Sequence, residues 1–383
     1  MTFLLVSFFV AAIVSGLTIG LSHRFGELMS DHDLSGPQKF HAQAVPRVGG
    51  IGIFIGLLAC TLVDWTVNGL GHLPGMLLLL LCGLPAFATG LVEDFTKNVS
   101  PAKRLLATAL SGVLAFWLLD AQITRADVPG IDWVLGTSIG ALAMTVLVVA
   151  GVANSINIID GFNGLSSMCV SLMLLTFAYV AFQVGDTELA LWALAGVGAA
   201  LGFFVWNFPR GQIFLGDGGA YFLGFYMVEI GILLIARHPQ VSPLFGLLVC
   251  IYPVFETIFS IYRRQYLRAT HPGLPDGIHL HSLIYRRLMR WSSGSQRALS
   301  MTQRNSLTAP YLWILCKLSL FPALLFWDST PMLAVFLILF AVLYVTVYWR
   351  IVRFKTPKWM IVRSGRGVSL GEPALLQSPG KPE

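Results

Sequence analysis

The chain has 383 residues, 56% of them hydrophobic and only 11% charged, and carries a formal net charge of +6 at neutral pH. These proportions exclude a disordered chain and a string of soluble domains, and they describe a polytopic membrane protein whose partner is the lipid bilayer. In such a chain basic residues report topology first, so no nucleic-acid partner is expected.

A helix crossing the hydrocarbon core needs about 20 mainly apolar residues. Runs of that kind lie near 2–22, 48–68, 74–92, 103–120, 134–153, 164–183, 187–206, 219–236, 242–262, 309–327 and 331–349. They predict an all-α membrane helix bundle of about eleven transmembrane helices. The first run has no basic stretch before it and no convincing cleavage site after it, so it reads as a membrane helix and not a signal peptide. Residues 1–350 are expected to form one integral membrane domain, and 351–383 a basic, disordered cytoplasmic tail. Cys60, Cys82, Cys169, Cys250 and Cys316 sit singly inside apolar runs and read as buried thiols.

If the first helix enters from outside, 22 of the 25 Lys and Arg fall on inside segments, with Arg125 and Arg237 outside and Lys317 within a helix. This asymmetry predicts an external N-terminus and a cytoplasmic C-terminus. The same orientation puts the polar stretches 23–47, 93–104, 154–163, 207–218 and 263–305 on one face, where they can form one cytoplasmic site.

Polar residues at membrane depth are costly and mark function. In 93–104, Glu93 and Asp94 face the cations Lys103 and Arg104, a set able to ligate a divalent ion, take a proton or hold phosphate. A charge network at two helix ends explains them equally well. In "NSINIIDGFNGL", Asn154, Asn157 and Asp160 recur at intervals of three and share a helical face, while Gly161 and Gly164 allow close approach to backbone. Carboxamides with a carboxylate suit Mg²⁺. The competing explanation is Asn side chains joining helices, with Asn163 capping the next one.

Further on, "IFLGDGG" brackets Asp217 with glycines just before an apolar helix, and Phe214 precedes it as a surface on which a base could stack. In the largest inside loop, His271, His279 and His281 precede Arg286 and Arg287, a cationic lid suited to a diphosphate or sugar. Zinc is the rival there, but no cysteine and no third ligand stand at zinc spacing.

Taken in order, "VPRVGG", "EDFTKNVSPAKR", "NSINIIDGFNGL", "IFLGDGG" and "HLHS" resemble the motifs of the polyprenyl-phosphate N-acetylhexosamine-1-phosphate transferases, glycosyltransferase family 4, over about Pro37 to Arg290. The resemblance implies Mg²⁺-dependent transfer, with Mn²⁺ as a substitute, of a sugar 1-phosphate from a UDP-N-acetyl sugar to undecaprenyl phosphate, releasing UMP at the inner membrane. A homodimer is compatible with it. By motif position Asn157 and Asp217 look like the metal ligands, and Asp94, Glu93 and Lys103 like phosphate-site residues, with Asp94 ranked above Glu93. Asn163 and Phe214 look like the uridine pocket, Asn154, Asp160, Gly161 and Arg104 like further substrate contacts, and His279 and His281 like the closing loop.

Glu93 stands where the family has Asp, and Ser282 where many bacterial members have His. These departures favour O-antigen, capsule or related surface-glycan synthesis over phospho-N-acetylmuramoyl-pentapeptide transfer in peptidoglycan synthesis. A secondary transporter is the alternative of another class. Transporter sites, however, lie near the bilayer midplane on broken helices, whereas these clusters sit at helix ends.

Overall fold

The computed structural model describes residues 1–22, 45–69, 75–267, 278–288 and 301–353. His271, Arg24, Lys39 and the tail beyond 353 lie outside the described residues. Those described build an all-α bundle without strands: α1 (Thr2–Ser22), α2 (Gly49–Asn68), α3 (Gly75–Thr96), α4 (Pro101–Leu118), the short α5 (Ile131–Leu135), α6 (Ser138–Ile159) and α7 (Leu165–Gln183). Then come α8 (Thr187–Asn207), α9 (Gly216–Arg237), α10 (Pro243–Val249), α11 (Ile251–Tyr262), the single turn α12 (Leu280–Leu283), α13 (Met301–Leu325) and α14 (Thr330–Val352).

Among the described residues nine helices are long and apolar enough to span a membrane; α10 and α11, bent by 73° against each other, form either a tenth, broken span or a re-entrant loop. The run expected near 103–120 forms α4, which starts earlier, at Pro101, because Ser100 caps it by accepting the Lys103 N–H at 3.4 Å. With Lys103 and Arg104 in its first turn, α4 is not among the nine, so the described residues fall short of the eleven spans expected. All five cysteines are free and buried.

α9 is the axis of the bundle, and nearly all of its residues are buried. Its N-terminus meets α2 and α3 through glycine: a Cβ on Gly50 would collide with Gly219, and one on Gly90 would lie 2.6 Å from Gly218 Cα. Without a hydrophobic force between helices in lipid, this close backbone approach supplies the dispersion contact that holds them. Elsewhere single hydrogen bonds join spans. Trp206 Nε1 donates to Ala12 O (2.8 Å), tying α8 to α1. Next to Pro85, inside α3, the Ala86 N–H donates to Ser111 Oγ of α4 at 3.1 Å, a neighbouring helix satisfying backbone at a proline.

The helix termini at Arg47, Glu93, Arg104, Asn157, Asn207, Asp217 and Asn305 gather at one end of the bundle and line a single cavity of about 420 Å³. Thus all five polar stretches contribute to one place.

Candidate active site

The site begins with the backbone around Gly216. Phe214 N–H donates to Pro46 O (2.8 Å), and Gly49 and Gly50 N–H donate to Phe214 O and Leu215 O, each at 3.0 Å. "VPRVGG" is therefore the strip against which the turn into α9 is laid. Gly216 takes a positive φ of 75°, and a Cβ there would collide with Arg47 O, so only glycine fits.

Asp94, at the end of α3, receives the N–H of Asp217 on Oδ1 (2.8 Å) and that of Gly218 on Oδ2 (2.9 Å). A carboxylate from another helix thereby fills the place of an N-cap and sits at the positive end of the α9 dipole. It fixes the first turn of α9 and with it the direction of Asp217. The Asp217 carboxylate accepts from Asn157 Nδ2 at 3.0 Å, pairs closely with Arg104, and lies 3.6 Å from Arg47.

The turn after α6 is fastened by amides. Gly164, left-handed at φ 71°, occupies the N-cap position of α7, and its N–H donates to Asn207 Oδ1 (2.5 Å). Asn207 Nδ2 in turn donates to Ile213 O (2.7 Å), joining this turn to the one before α9. Asn163 N–H donates to Asn305 Oδ1 at 2.8 Å, and its Nδ2 lies 3.3 Å from both Pro209 O and Ser306 Oγ. Trp313 Nε1 donates to Gly164 O (3.0 Å), so α13 backs the whole turn. Asp160 accepts from the Ser166 hydroxyl. Burial pushes its carboxyl up to about 7, although the Ser166 hydrogen bond and the Arg47 charge favour its ionised form.

Across the cavity, the rings of His279 and His281 stack with centroids 5.1 Å apart, and Phe162 meets His281 edge-on at 5.3 Å. His279 Nδ1 lies 3.0 Å from Glu256 Oε1.

Of the residues singled out in the sequence, Glu93, Arg104, Asn157, Asp160, Gly161 and Asn163 line the cavity, as do Phe214, Asp217, His279 and His281. Three do not. Asp94 is turned to the α9 backbone, Lys103 is exposed on the outside of α4, and Asn154 accepts from Tyr221 OH (3.0 Å) between α6 and α9. The reason is the 100° step between successive helix residues. When Glu93 and Arg104 face the cavity, their neighbours Asp94 and Lys103 must face elsewhere. Asn154 takes the helix-joining role that polar residues have in membranes. Glu93 also braces its own loop, accepting the Val99 N–H on Oε2 (2.6 Å).

Arg47, Asn207, Asn305, Glu256 and Tyr344 were missing from the sequence-based site. Arg47 could have been found, since it lies inside "VPRVGG". Asn207 and Asn305 bound two of the polar stretches, and Glu256 stands where the family resembled often has Asp; Tyr344 alone carries no local signal and is recruited by packing.

Among the described residues no three His, Cys, Asp or Glu side chains are grouped to hold a metal. The donor set that does exist is Asp217 with Asn157, 3.0 Å apart on the cavity wall. One carboxylate and one amide oxygen, the latter reached by a half-turn of the Asn157 amide, suit Mg²⁺, which keeps most positions for water and phosphate oxygens. Arg47 and Arg104 beside them favour a polyanionic ligand.

Residues 76–235 match the family model for glycosyl transferase family 4. The chain is 30% identical over 244 residues to a phospho-N-acetylmuramoyl-pentapeptide-transferase of Geobacillus kaustophilus, covering 60% of this chain and 73% of that protein. The chain belongs to glycosyl transferase family 4. Within the family it is also 29% identical over 280 residues to a probable undecaprenyl-phosphate N-acetylglucosaminyl 1-phosphate transferase of Bacillus subtilis, covering 71% and 75% of the two chains. An undecaprenyl-phosphate alpha-N-acetylglucosaminyl 1-phosphate transferase of Thermotoga maritima is 27% identical over 290 residues, 76% of this chain and 82% of that one. The protein is therefore a polyprenyl-phosphate sugar-1-phosphate transferase, and the cavity at the bundle end is its candidate active site.

Proposed function

We propose that the protein transfers an N-acetylhexosamine 1-phosphate, or a deoxy derivative, from a UDP-sugar to undecaprenyl phosphate on the cytoplasmic face of the membrane, with Mg²⁺ and release of UMP. The reading rests on one observation above all: Asp217 and Asn157 meet on a cavity wall flanked by Arg47 and Arg104. A phosphate oxygen of the lipid attacks the sugar-proximal phosphorus of the donor. A new P–O bond forms as the bond from that phosphorus to the bridging oxygen breaks, and the electron pair leaves on UMP.

Asp217 and Asn157 would hold Mg²⁺, which when bound supplies positive charge to the diphosphate oxygens. Arg47 and Arg104 orient the same oxygens and offset the charge that spreads over them in the in-line transition state. His279 and His281 close the opposite wall, beside the phosphate and sugar oxygens. Phe214, half-buried at the rim, offers a face to the uracil, and Asn163 a side-chain amide placed by Pro209 O and Ser306 Oγ. The charge asymmetry of the loops supports the cytoplasmic placement of this end.

The likeness to the Geobacillus protein favours a second reading, a muramoyl-pentapeptide donor. The N-acetylglucosaminyl-type relatives align over more of the chain, 71% and 76% against 60%, which supports the simpler sugar and a role in surface-glycan synthesis. The test is exchange of radiolabelled UMP into UDP-N-acetylglucosamine by purified protein. Exchange is expected only with both Mg²⁺ and undecaprenyl phosphate present, and is expected to vanish in Asp217→Ala. Exchange that persists in Asp217→Ala would remove the metal assignment, and exchange with UDP-N-acetylmuramoyl-pentapeptide alone would select the second reading.

A further inference from the structure

Glu256 sits in α11 with 1% of its surface exposed, yet it does not line the cavity. Its carboxylate has three donors. Oε1 faces His279 Nδ1 and accepts the Leu280 N–H, both at 3.0 Å, and Oε2 accepts the Tyr344 hydroxyl at 2.6 Å. Tyr344 belongs to α14, the last of the described helices, and is fully buried. The same helix secures the preceding residue: Tyr348 OH and Arg263 both donate to Ile278 O, at 3.2 and 2.5 Å. Arg263 also donates to the Tyr348 hydroxyl at 2.5 Å, which locks the two supports together.

We infer that Glu256 and Tyr344 are positioning residues of the transferase, which fix the tautomer and ring orientation of His279 from behind. The inference rests on the reading that His279 acts in the transfer. With Nδ1–H committed to Glu256, Nε2 is the nitrogen that can serve the cavity His279 lines. In that tautomer Nε2 is the bare nitrogen, which can accept a hydrogen bond from a sugar hydroxyl. Tyr344 holds the other carboxylate oxygen, so that Glu256 cannot swing away from the ring. Carboxylate partners of this kind orient working histidines in other sites, and their loss costs about 10–100-fold. None of the three residues lies within the stretch 76–235 matched to the family.

The test is a set of variants read by rate and by thermal unfolding: Tyr344→Phe, Glu256→Gln, His279→Gln, and the pairwise doubles with His279→Gln. Tyr344→Phe keeps the ring and its packing and loses one hydroxyl. It should lower kcat by about tenfold with the KM for the UDP-sugar and the Tm near those of the parent, and Glu256→Gln should lower kcat by about 100-fold. In the His279→Gln background neither change should cost anything further, because both act through that ring. Should the residual rate of His279→Gln be too low to read, ¹⁵N spectra of histidine-labelled protein serve instead. They should show an Nδ1–H tautomer in the parent that Glu256→Gln removes. Losses that add in the doubles, or a tautomer unchanged in Glu256→Gln, would overturn the positioning role alone. Full activity in His279→Gln would overturn the role of His279 in the transfer and the inference with it.

Discussion

Replacing Asp94 with Asn tests whether this carboxylate works as a cap or as a reactant. Its two oxygens accept the N–H groups of Asp217 and Gly218 at 2.8 and 2.9 Å, in a position only 8% exposed. Asn supplies a single acceptor and presents an NH₂ to the second N–H. One charge-assisted hydrogen bond, about 1.5–3 kcal/mol, is lost, and a buried N–H is left unsatisfied at about 1–3 kcal/mol. Together they come to about 2.5–6 kcal/mol, a large part of the 5–15 kcal/mol that typically separates folded from unfolded domains. Asp94→Asn should therefore lower the Tm in detergent by about 5 °C or more, and activity should fall because Asp217 loses its direction. Glu93→Gln, whose side chain braces a loop, should melt close to the parent. If Asp94→Asn keeps the parent Tm while losing all transfer, the capping argument is refuted and the carboxylate acts on substrate directly.

The other expectations follow from the same geometry. Arg104→Ala should cost at least about tenfold in kcat/KM, some 1.4 kcal/mol, whereas Lys103→Ala, exposed outside the cavity, should stay within about twofold; equal losses in an exchange assay would contradict the placement. Because burial raises the Asp160 carboxyl to about 7, the native state keeps a proton that the unfolded chain gives up above its ordinary value of about 3.9. Stability from this group is thus full below about 4 and is lost as pH rises through about 7, and Asp160→Asn should flatten a Tm profile across that window; an unchanged profile would show that Asp160 does not cause it. Glu229, fully buried in the middle of α9, has no hydrogen-bond partner for either oxygen among the described residues. Burying such a group unpaired is costly, so Glu229→Met should raise the Tm and leave transfer intact, and lost transfer in a folded variant would mean the carboxyl is used.

Much of this was legible in the sequence because the bilayer makes polarity expensive. Amides and carboxylates survive in so apolar a chain only where something requires them, and the loop charges told which stretches share a face. The partnership of Asn157 with Asp217, 60 residues apart, followed from chemistry and motif order and is seen as a 3.0 Å hydrogen bond. What the sequence could not resolve was rotation. Glu93 and Asp94 are adjacent, as are Lys103 and Arg104, and which of each pair faces the cavity depends on how α3 and α4 dock against α9. Glu256 stood out only as a residue where the family resembled often has Asp, and Tyr344 not at all; only the meeting of α11 with α14 joins them to His279.

The central claim is that phosphorus, and not the sugar carbon, is the atom attacked. It is tested most directly by incubating the purified protein with UDP-N-acetylglucosamine, undecaprenyl phosphate and Mg²⁺, and identifying both products by mass spectrometry. Attack at phosphorus predicts UMP and a lipid whose sugar is joined through a diphosphate. UDP together with a lipid monophosphate sugar would contradict it.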